Sequence, residues 1–457
     1  MKLVRRFVIV SVLLAGTCLG ARIVQAQPAV TDHRTPAGIA FRHMAMLEER
    51  HHALAFAWAD GIALTLAGKE GVVALGPRLL LEGSRTVGQS ERIERFNDLQ
   101  ATLSLAGSAY FTRGALVVPK AKFAEAAALL GDMLADPALP ADKLALAKRE
   151  ASVGRRQAEE HPEALANRLF MRLTLGEGPL LRLATADPGS FEAVEIADIE
   201  AWRQAVLGRQ HLTLASAGPL PPEEAAAHID RIFAGLPASG HGFSPPPVLR
   251  TSGKLIVIEK PAVQTAIVAG GPSGWGSEPD VVQGTVAVRA LGASGFQSRL
   301  VRAVREGLGA AYGIRASFQQ LHPKAFTVVI STVVDNTKAA ATIATIRKEY
   351  ARLLAEGVTE AEIAPIRTKL ITESREQLRR SSGAASRIRD LALAGFPRDY
   401  LATYESRVGA LAAAQINEGI RARFPKEPLT IVMVAPSAEG LGADCVIKTP
   451  AELSRCE

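Results

Sequence analysis

The sequence predicts an α+β protein made of two copies of one domain, and three observations carry that reading. The chain has 457 residues, long enough for two or three average domains. Similar elements recur in the same order at a nearly constant offset, the signature of an internal repeat. Between the two series lies His241-Gly-Phe-Ser-Pro-Pro-Pro247, whose proline run favours an extended connection.

Taken in order, residues 1–26 come first. Lys2, Arg5 and Arg6 form a basic start, Phe7 to Gly20 an apolar run, and Val24-Gln25-Ala26 a small-residue cleavage pattern before Gln27. This is the layout of an export signal. The run is 14 residues long, short of the roughly 20 that cross a bilayer. Retention as an N-terminal anchor is the competing reading, whereas Ala15-Gly16-Thr17 before Cys18 fits a lipoprotein signal poorly. An exported, periplasmic protein with no membrane segment after cleavage is expected.

The first domain is assigned to residues 27–240. Ala115 to Pro119 reads as a strand, with helices at 120–135 and 140–160; a helix from Ile199 then leads into the strand Leu212 to Ser216. After a linker at 241–253, the second domain occupies residues 254–457. Phe326 to Ile330 repeats the strand 211 residues on, followed by helices at 336–356 and 359–380. A helix from Ile416 and the strand Leu429 to Met433 repeat the later pair at an offset of 217. Each domain should pair half-buried strands with long amphipathic helices on one side.

Composition narrows the function. A hydrophobic fraction of 48% and a charged fraction of 22% exclude a disordered or fibrous chain. The net charge of +7 loses four basic residues and no acid with the first 26 residues, leaving +3, too weak to argue for nucleic acid or anionic lipid. Removal of Cys18 leaves Cys445 and Cys456. In an oxidising compartment this pair can close a small loop that pins the C-terminal tail; free thiols are the alternative. There is no C-x-x-C and no G-x-S-x-G, so thiol-redox, cysteine-zinc and serine-hydrolase elbow chemistry is not expected. Gly270 to Gly276 lacks the Lys-Ser/Thr of a phosphate loop and reads as a surface turn. Glu48-Glu49-Arg50-His51-His52 reads as a solvated turn, because adjacent histidines would diverge by about 100° on a helix.

The second domain carries the most specific pattern: Ser298-Arg-Leu-Val-Arg-Ala-Val-Arg305-Glu-Gly-Leu-Gly-Ala-Ala-Tyr312. With Lys260-Pro-Ala-Val-Gln-Thr265, Glu278-Pro-Asp280 and Leu291 to Leu300, it resembles the insulinase (pitrilysin) family of zinc metallopeptidases, the inverzincins. There an Arg and a Tyr seven residues apart follow an S-R-L start, as Arg305 and Tyr312 do here. The resemblance covers nearly all of the chain after the signal. It implies two homologous domains, each a mainly antiparallel sheet packed against helices, together forming half of a clam-shell.

Active members of that family carry H-x-x-E-H on an early helix of the first domain. The corresponding stretch here is Gly71 to Ser84, where the two His positions hold Ala74 and Arg78 and the Glu position holds Pro77. The third ligand, a Glu, falls at Gly154. Ala and Gly have no ligand atoms, and a guanidinium is never deprotonated in proteins. Zinc needs three protein ligands and a carboxylate base, so this chain is expected to hold no metal, to need no cofactor of its own and to cleave no peptide alone.

Some members of the family work as pairs of one active and one inactive subunit, as in mitochondrial processing peptidase and in pairs exported by bacteria. The resemblance therefore implies a non-catalytic subunit that meets an active homologue around an extended peptide and supplies Arg305 and Tyr312 to its partner's zinc site. Two alternatives stand: a stand-alone periplasmic peptide-binding protein, and a structural role like that of the family's subunits in a respiratory complex.

Overall fold

The computed structural model describes residues 29–59, 67–240, 242, 245–274, 280–293, 295–310, 313–322 and 324–456. The export signal assigned to residues 1–26 lies outside them. Among the described residues, no helix is long and apolar enough to cross a membrane.

The first domain runs β1 (Val30–Arg34), β2 (Ala40–Ala45), β3 (His51–Ala59), α1 (Val72–Leu80), α2 (Gln89–Asp98), β4 (Thr102–Gly107), β5 (Phe111–Pro119), α3 (Phe123–Ala135) and α4 (Ala141–Glu160). It continues through α5 (Pro162–Thr174), α6 (Pro179–Thr185), α7 (Gly189–Glu192), α8 (Ile196–Val206), β6 (Leu212–Gly218) and α9 (Pro222–Phe233). The second domain begins with β7 (Leu255–Glu259), β8 (Gln264–Ser273), α10 (Asp280–Val288), β9 (Ile314–His322), β10 (Ala325–Asp335) and α11 (Ala339–Glu356). It ends with α12 (Glu360–Leu378), α13 (Ser381–Leu393), α14 (Tyr400–Ala410), α15 (Ala413–Arg423), β11 (Thr430–Ala435) and β12 (Cys445–Ile447).

Each domain holds a six-stranded sheet, ordered β1-β2-β6-β3-β5-β4 in the first and β12-β7-β11-β8-β10-β9 in the second. Five strands of each correspond in place and direction. β2 and β6 are parallel, as are β7 and β11, and the pairings from there outward are antiparallel. Only the sixth strand differs: β1 joins its sheet antiparallel, β12 parallel.

The one-sided burial expected from the sequence does not hold. Along β3 every residue after His51 is buried, and so is all of β11. The reason is a reciprocal exchange of helices. α5 leaves the first domain to pack on β8 and β11, while α13 leaves the second to pack on β3 and β6. Each sheet is thus covered on one face by its own helices and on the other by a helix from its neighbour, which is why its central strands are continuously apolar.

The side chains record the two faces. In β3, Leu54, Phe56 and Trp58 join the core under α3 and α9, while Ala53 and Ala55 join the core that contains Ala384, Ala385 and Ile388 of α13. In the second sheet Ile256, Ile258, Val268, Val432 and Val434 face Leu165, Leu169, Phe170 and Leu173 of α5.

Gly270, Gly271, Pro272 and Ser273 are not a surface turn but the end of β8. A Cβ at Gly270 would come within 2.0 Å of the Val328 carbonyl oxygen on β10, so the glycine serves close strand approach. Trp275 and Gly276 lie outside the described residues.

Candidate functional site

The four positions that the resemblance matches to a metal site fall on two helices that pack together, α1 and α4. Ala74 and Arg78 are one turn apart on α1 and both exposed, whereas Pro77 between them is buried. Pro77 has no N–H to give the carbonyl four residues back, which is that of Val73. That carbonyl lies against β4 at Gly107, where a Cβ would come within 1.9 Å of the Val73 oxygen. Glycine at 107 and proline at 77 therefore fit one another: the first leaves room where the second releases a carbonyl.

Arg78 is not free. Its Nη2 lies 2.5 Å from Oε2 of Glu150, one turn before Gly154 on α4. Both groups are about half exposed, with side-chain exposures of 45% and 51%, so the pair marks geometry more than stability. Glu150 is the site residue that sequence reading missed; the signal was its spacing of four from Gly154. A Cβ at Gly154 meets nothing within 4 Å, so the glycine is not required for packing.

These residues do not fit a zinc ion. Two of the four have no donor atom, the third is a pyrrolidine ring buried in the helix, and the fourth is a fixed cation paired with Glu150. Among the described residues no three of His, Cys, Asp and Glu gather as a metal-holding group.

Arg305 belongs to the other domain. It is exposed on the π-helical stretch Val301–Gly307. Tyr312 lies outside the described residues. The start of the same motif is structural: Arg299, 6% exposed, donates to both carboxylate oxygens of Glu362 at 2.6 and 2.9 Å and to the Gly357 carbonyl at 2.6 Å. Burial alone would raise the Glu362 pKa, but hydrogen bonds from Arg299 and the turn at Thr359 hold it down to about 2. Arg299 thus ties the motif's helix to the start of α12.

The two histidines read as a solvated turn prove to start β3, and His52 is buried. The Leu220 amide donates to His52 Nδ1 at 3.3 Å, so the neutral ring carries its proton on Nε2. His52 Nε2 then donates to Ser216 Oγ at 2.7 Å, leaving the serine hydroxyl to donate to His43 Nδ1 at 3.2 Å. The adjacent spacing that forbids a helical pair places His51 and His52 on opposite faces of a strand, which explains one exposed and one buried ring. Burial, then neighbouring rings, lower His52 to about 3 and His43 to about 4; Glu223 weakly opposes the shift at His43. Both rings are neutral core groups.

Cys445 and Cys456 form a disulfide with their Cα atoms 5.7 Å apart. It ties the last turn of the chain to the second sheet, and Cys456 belongs to the core beneath α5.

Comparison with known proteins agrees with this fold. Residues 193–370 match the family model of the peptidase M16 inactive domain. The crystal structure of a peptidase M16 inactive domain from Pseudomonas fluorescens is 21% identical, with a TM-score of 0.83 over 92% of this chain and 100% of that one. A protease from Helicobacter pylori is 15% identical, with a TM-score of 0.80 over 90% of this chain and 100% of that one. The periplasmic protease PqqL from Escherichia coli is 12% identical with a TM-score of 0.76; 95% of this chain corresponds to 49% of PqqL. No curated protein matches in sequence. At such identities the structural likeness speaks for the fold, and the family match speaks for residues 193–370. Together they show that the chain has the two-domain fold of M16 peptidase structures and that residues 193–370 match the M16 inactive-domain model.

Proposed function

We propose that this chain is the exported, non-catalytic subunit of a zinc metallopeptidase pair, binding no zinc itself and meeting a homologous H-x-x-E-H subunit around an extended peptide. One observation supports the reading: α1 and α4 pack together with Ala74, Pro77, Arg78 and Gly154 where the family resemblance puts ligands and base, while the second domain carries Arg305 in the Arg/Tyr motif.

Arg305 and Tyr312 would act on the partner's bound substrate. A guanidinium and a phenol both donate hydrogen bonds. Aimed at a peptide carbonyl, they stabilise the charge that grows on its oxygen in the transition state. No step runs through a metal on this chain. The periplasm is the compartment expected from the N-terminal sequence, and it is the one named for the structural neighbour PqqL.

The test is co-purification of the tagged chain from the exported fraction of its native host, with zinc analysis of what elutes. A stoichiometric H-x-x-E-H homologue carrying the zinc is the expected result. In the reconstituted pair, Arg305→Ala should lower kcat/KM by about tenfold or more, as removal of a transition-state donor does. A monomer with no companion overturns the proposal. It would favour a peptide-binding protein that adds a strand to an open edge, for which β4 and β9 end their sheets. About one zinc per isolated chain would overturn the loss of the metal site.

A further inference from the structure

A second feature lies away from the degenerate helix pair. α10, α12, α13 and α14 enclose a cavity of about 350 Å³, within the roughly 300–1,000 Å³ of small-ligand sites. One wall is aromatic. Phe396 and Tyr400 have ring centres 4.6 Å apart, and Tyr400 and Tyr404 5.8 Å apart.

Four charged residues line the cavity, Arg289, Glu373, Arg387 and Asp390, and three of them are committed to ion pairs. Glu373 is taken by Arg289 at 2.7 Å. Asp390 is shared by Arg389 at 2.9 Å and Arg113 at 3.6 Å. What remains is Arg387, whose guanidinium carbon lies 5.9 Å from the centre of the Tyr404 ring. It makes no ion pair and no side-chain hydrogen bond among the described residues. The Tyr404 hydroxyl is in the same state although the residue is only 6% exposed. Ser374, on the facing wall, likewise keeps its hydroxyl unengaged. The Tyr404 hydroxyl and the half-buried Arg387 guanidinium therefore face one cavity with their donors open, a pairing that an acceptor-bearing ligand would complete. Burial raises the Tyr404 pKa, with Arg387 and Arg289 opposing, so the phenol remains an O–H donor near neutral pH.

We propose that this cavity binds a carboxylate attached to a flat apolar body, with Arg387 and the hydroxyls of Tyr404 and Ser374 holding the carboxylate and the Phe396–Tyr400 wall holding the body. A guanidinium presents the paired donors that a carboxylate accepts, and aromatic faces favour an offset ring. The carboxylate can come from a free small acid or from the C-terminal residue of a peptide. The site shares no residue with α1 or α4, so it stands or falls independently of the peptidase partner.

Titration calorimetry on the whole chain tests it with four probes: N-acetyl-L-phenylalanine, its amide, a pentapeptide ending in phenylalanine, and that peptide's amide. An acid should bind at least tenfold more tightly than its amide. Arg387→Gln should weaken acid binding at least tenfold, and Tyr404→Phe, which keeps the ring, about threefold or more. An unchanged near-ultraviolet circular dichroism spectrum would show that both variants fold. Binding of the peptide acid assigns the site to a chain terminus, and binding of the amino-acid derivative alone assigns it to a free acid. Equal binding of acids and amides, no binding of either acid, or indifference to both substitutions would overturn the proposal.

Discussion

α5 and α13 hold equivalent places, each crossing to the other domain's sheet, yet they make the contact in different ways. α5 presents Leu165, Leu169, Phe170 and Leu173 to a sheet face of Ile and Val. α13 presents Ala384, Ala385 and Ile388 to a face of Ala53, Ala55, Ala215 and Ala217. The first contact gains from volume; the second gains from closeness, and adds polar ties that closeness permits. Arg389 Nη1 donates to the Gly114 carbonyl at 3.2 Å, and the Ser381 amide donates to the Glu49 carboxylate at 3.1 Å. One topology therefore tolerates two packing chemistries, and the two should fail under opposite substitutions.

The largest effect of a single substitution is expected at Phe170, which is fully buried. Phe170→Ala removes the largest side chain of the α5 contact and should lower unfolding stability by about 3–5 kcal/mol, as other buried Phe→Ala changes do. Chemical denaturation measures it. A loss below about 1 kcal/mol would mean that the α5 contact does not rest on volume.

Acid should separate the sheets next, because the buried rings of His43 and His52 belong to the first sheet alone. Their folded pKa values, about 4 and about 3, lie below the ordinary 6.5. Between 6.5 and those values the unfolded chain binds more protons than the folded one, so stability rises with pH and is fully present above 6.5. As pH falls toward 4 and then 3 that stability is lost, about 3 kcal/mol for His43 and about 5 kcal/mol for His52. Hydrogen exchange corrected for intrinsic rates should show β3 and β6 losing protection before β8 and β11. Parallel loss in both sheets would break this part of the comparison.

The repeat and the helix ranges could be read from the sequence, because each depends on local pattern. The second face of the sheets could not. Ala53-Leu-Ala-Phe-Ala-Trp58 does alternate, but between small and large instead of polar and apolar, and a search for polar–apolar alternation misses it. Nothing local says that the alanine side awaits a helix more than 300 residues later. The Arg78–Glu150 pair stayed hidden for the same reason: the two residues are 72 positions apart. The cavity at Arg387 needs four helices to converge, and no motif marks it. His52 was misplaced because its charge class outweighed its position, immediately before a run that is clearly a strand.

The smallest effect probes the alanine face directly. Ala55 is fully buried at the centre of β3, paired with Ala115 of β5 on one side and Ala215 of β6 on the other. Ala55→Leu adds apolar area, which would stabilise a loosely packed site, and a tight site offers no room for it. Overpacking of a close contact costs about 1–3 kcal/mol, less than the loss at Phe170 because α13 can move outward where a cavity under α5 cannot close. That outward shift has its own readout: the Arg389 bond to Gly114 should lengthen and the amides of α13 should exchange faster, with α5 unaffected. If Ala55→Leu instead left the stability within about 0.5 kcal/mol, the usual range of surface changes, α13 would be resting on its polar ties and Ile388 alone, and the small-residue face would be room the fold does not use.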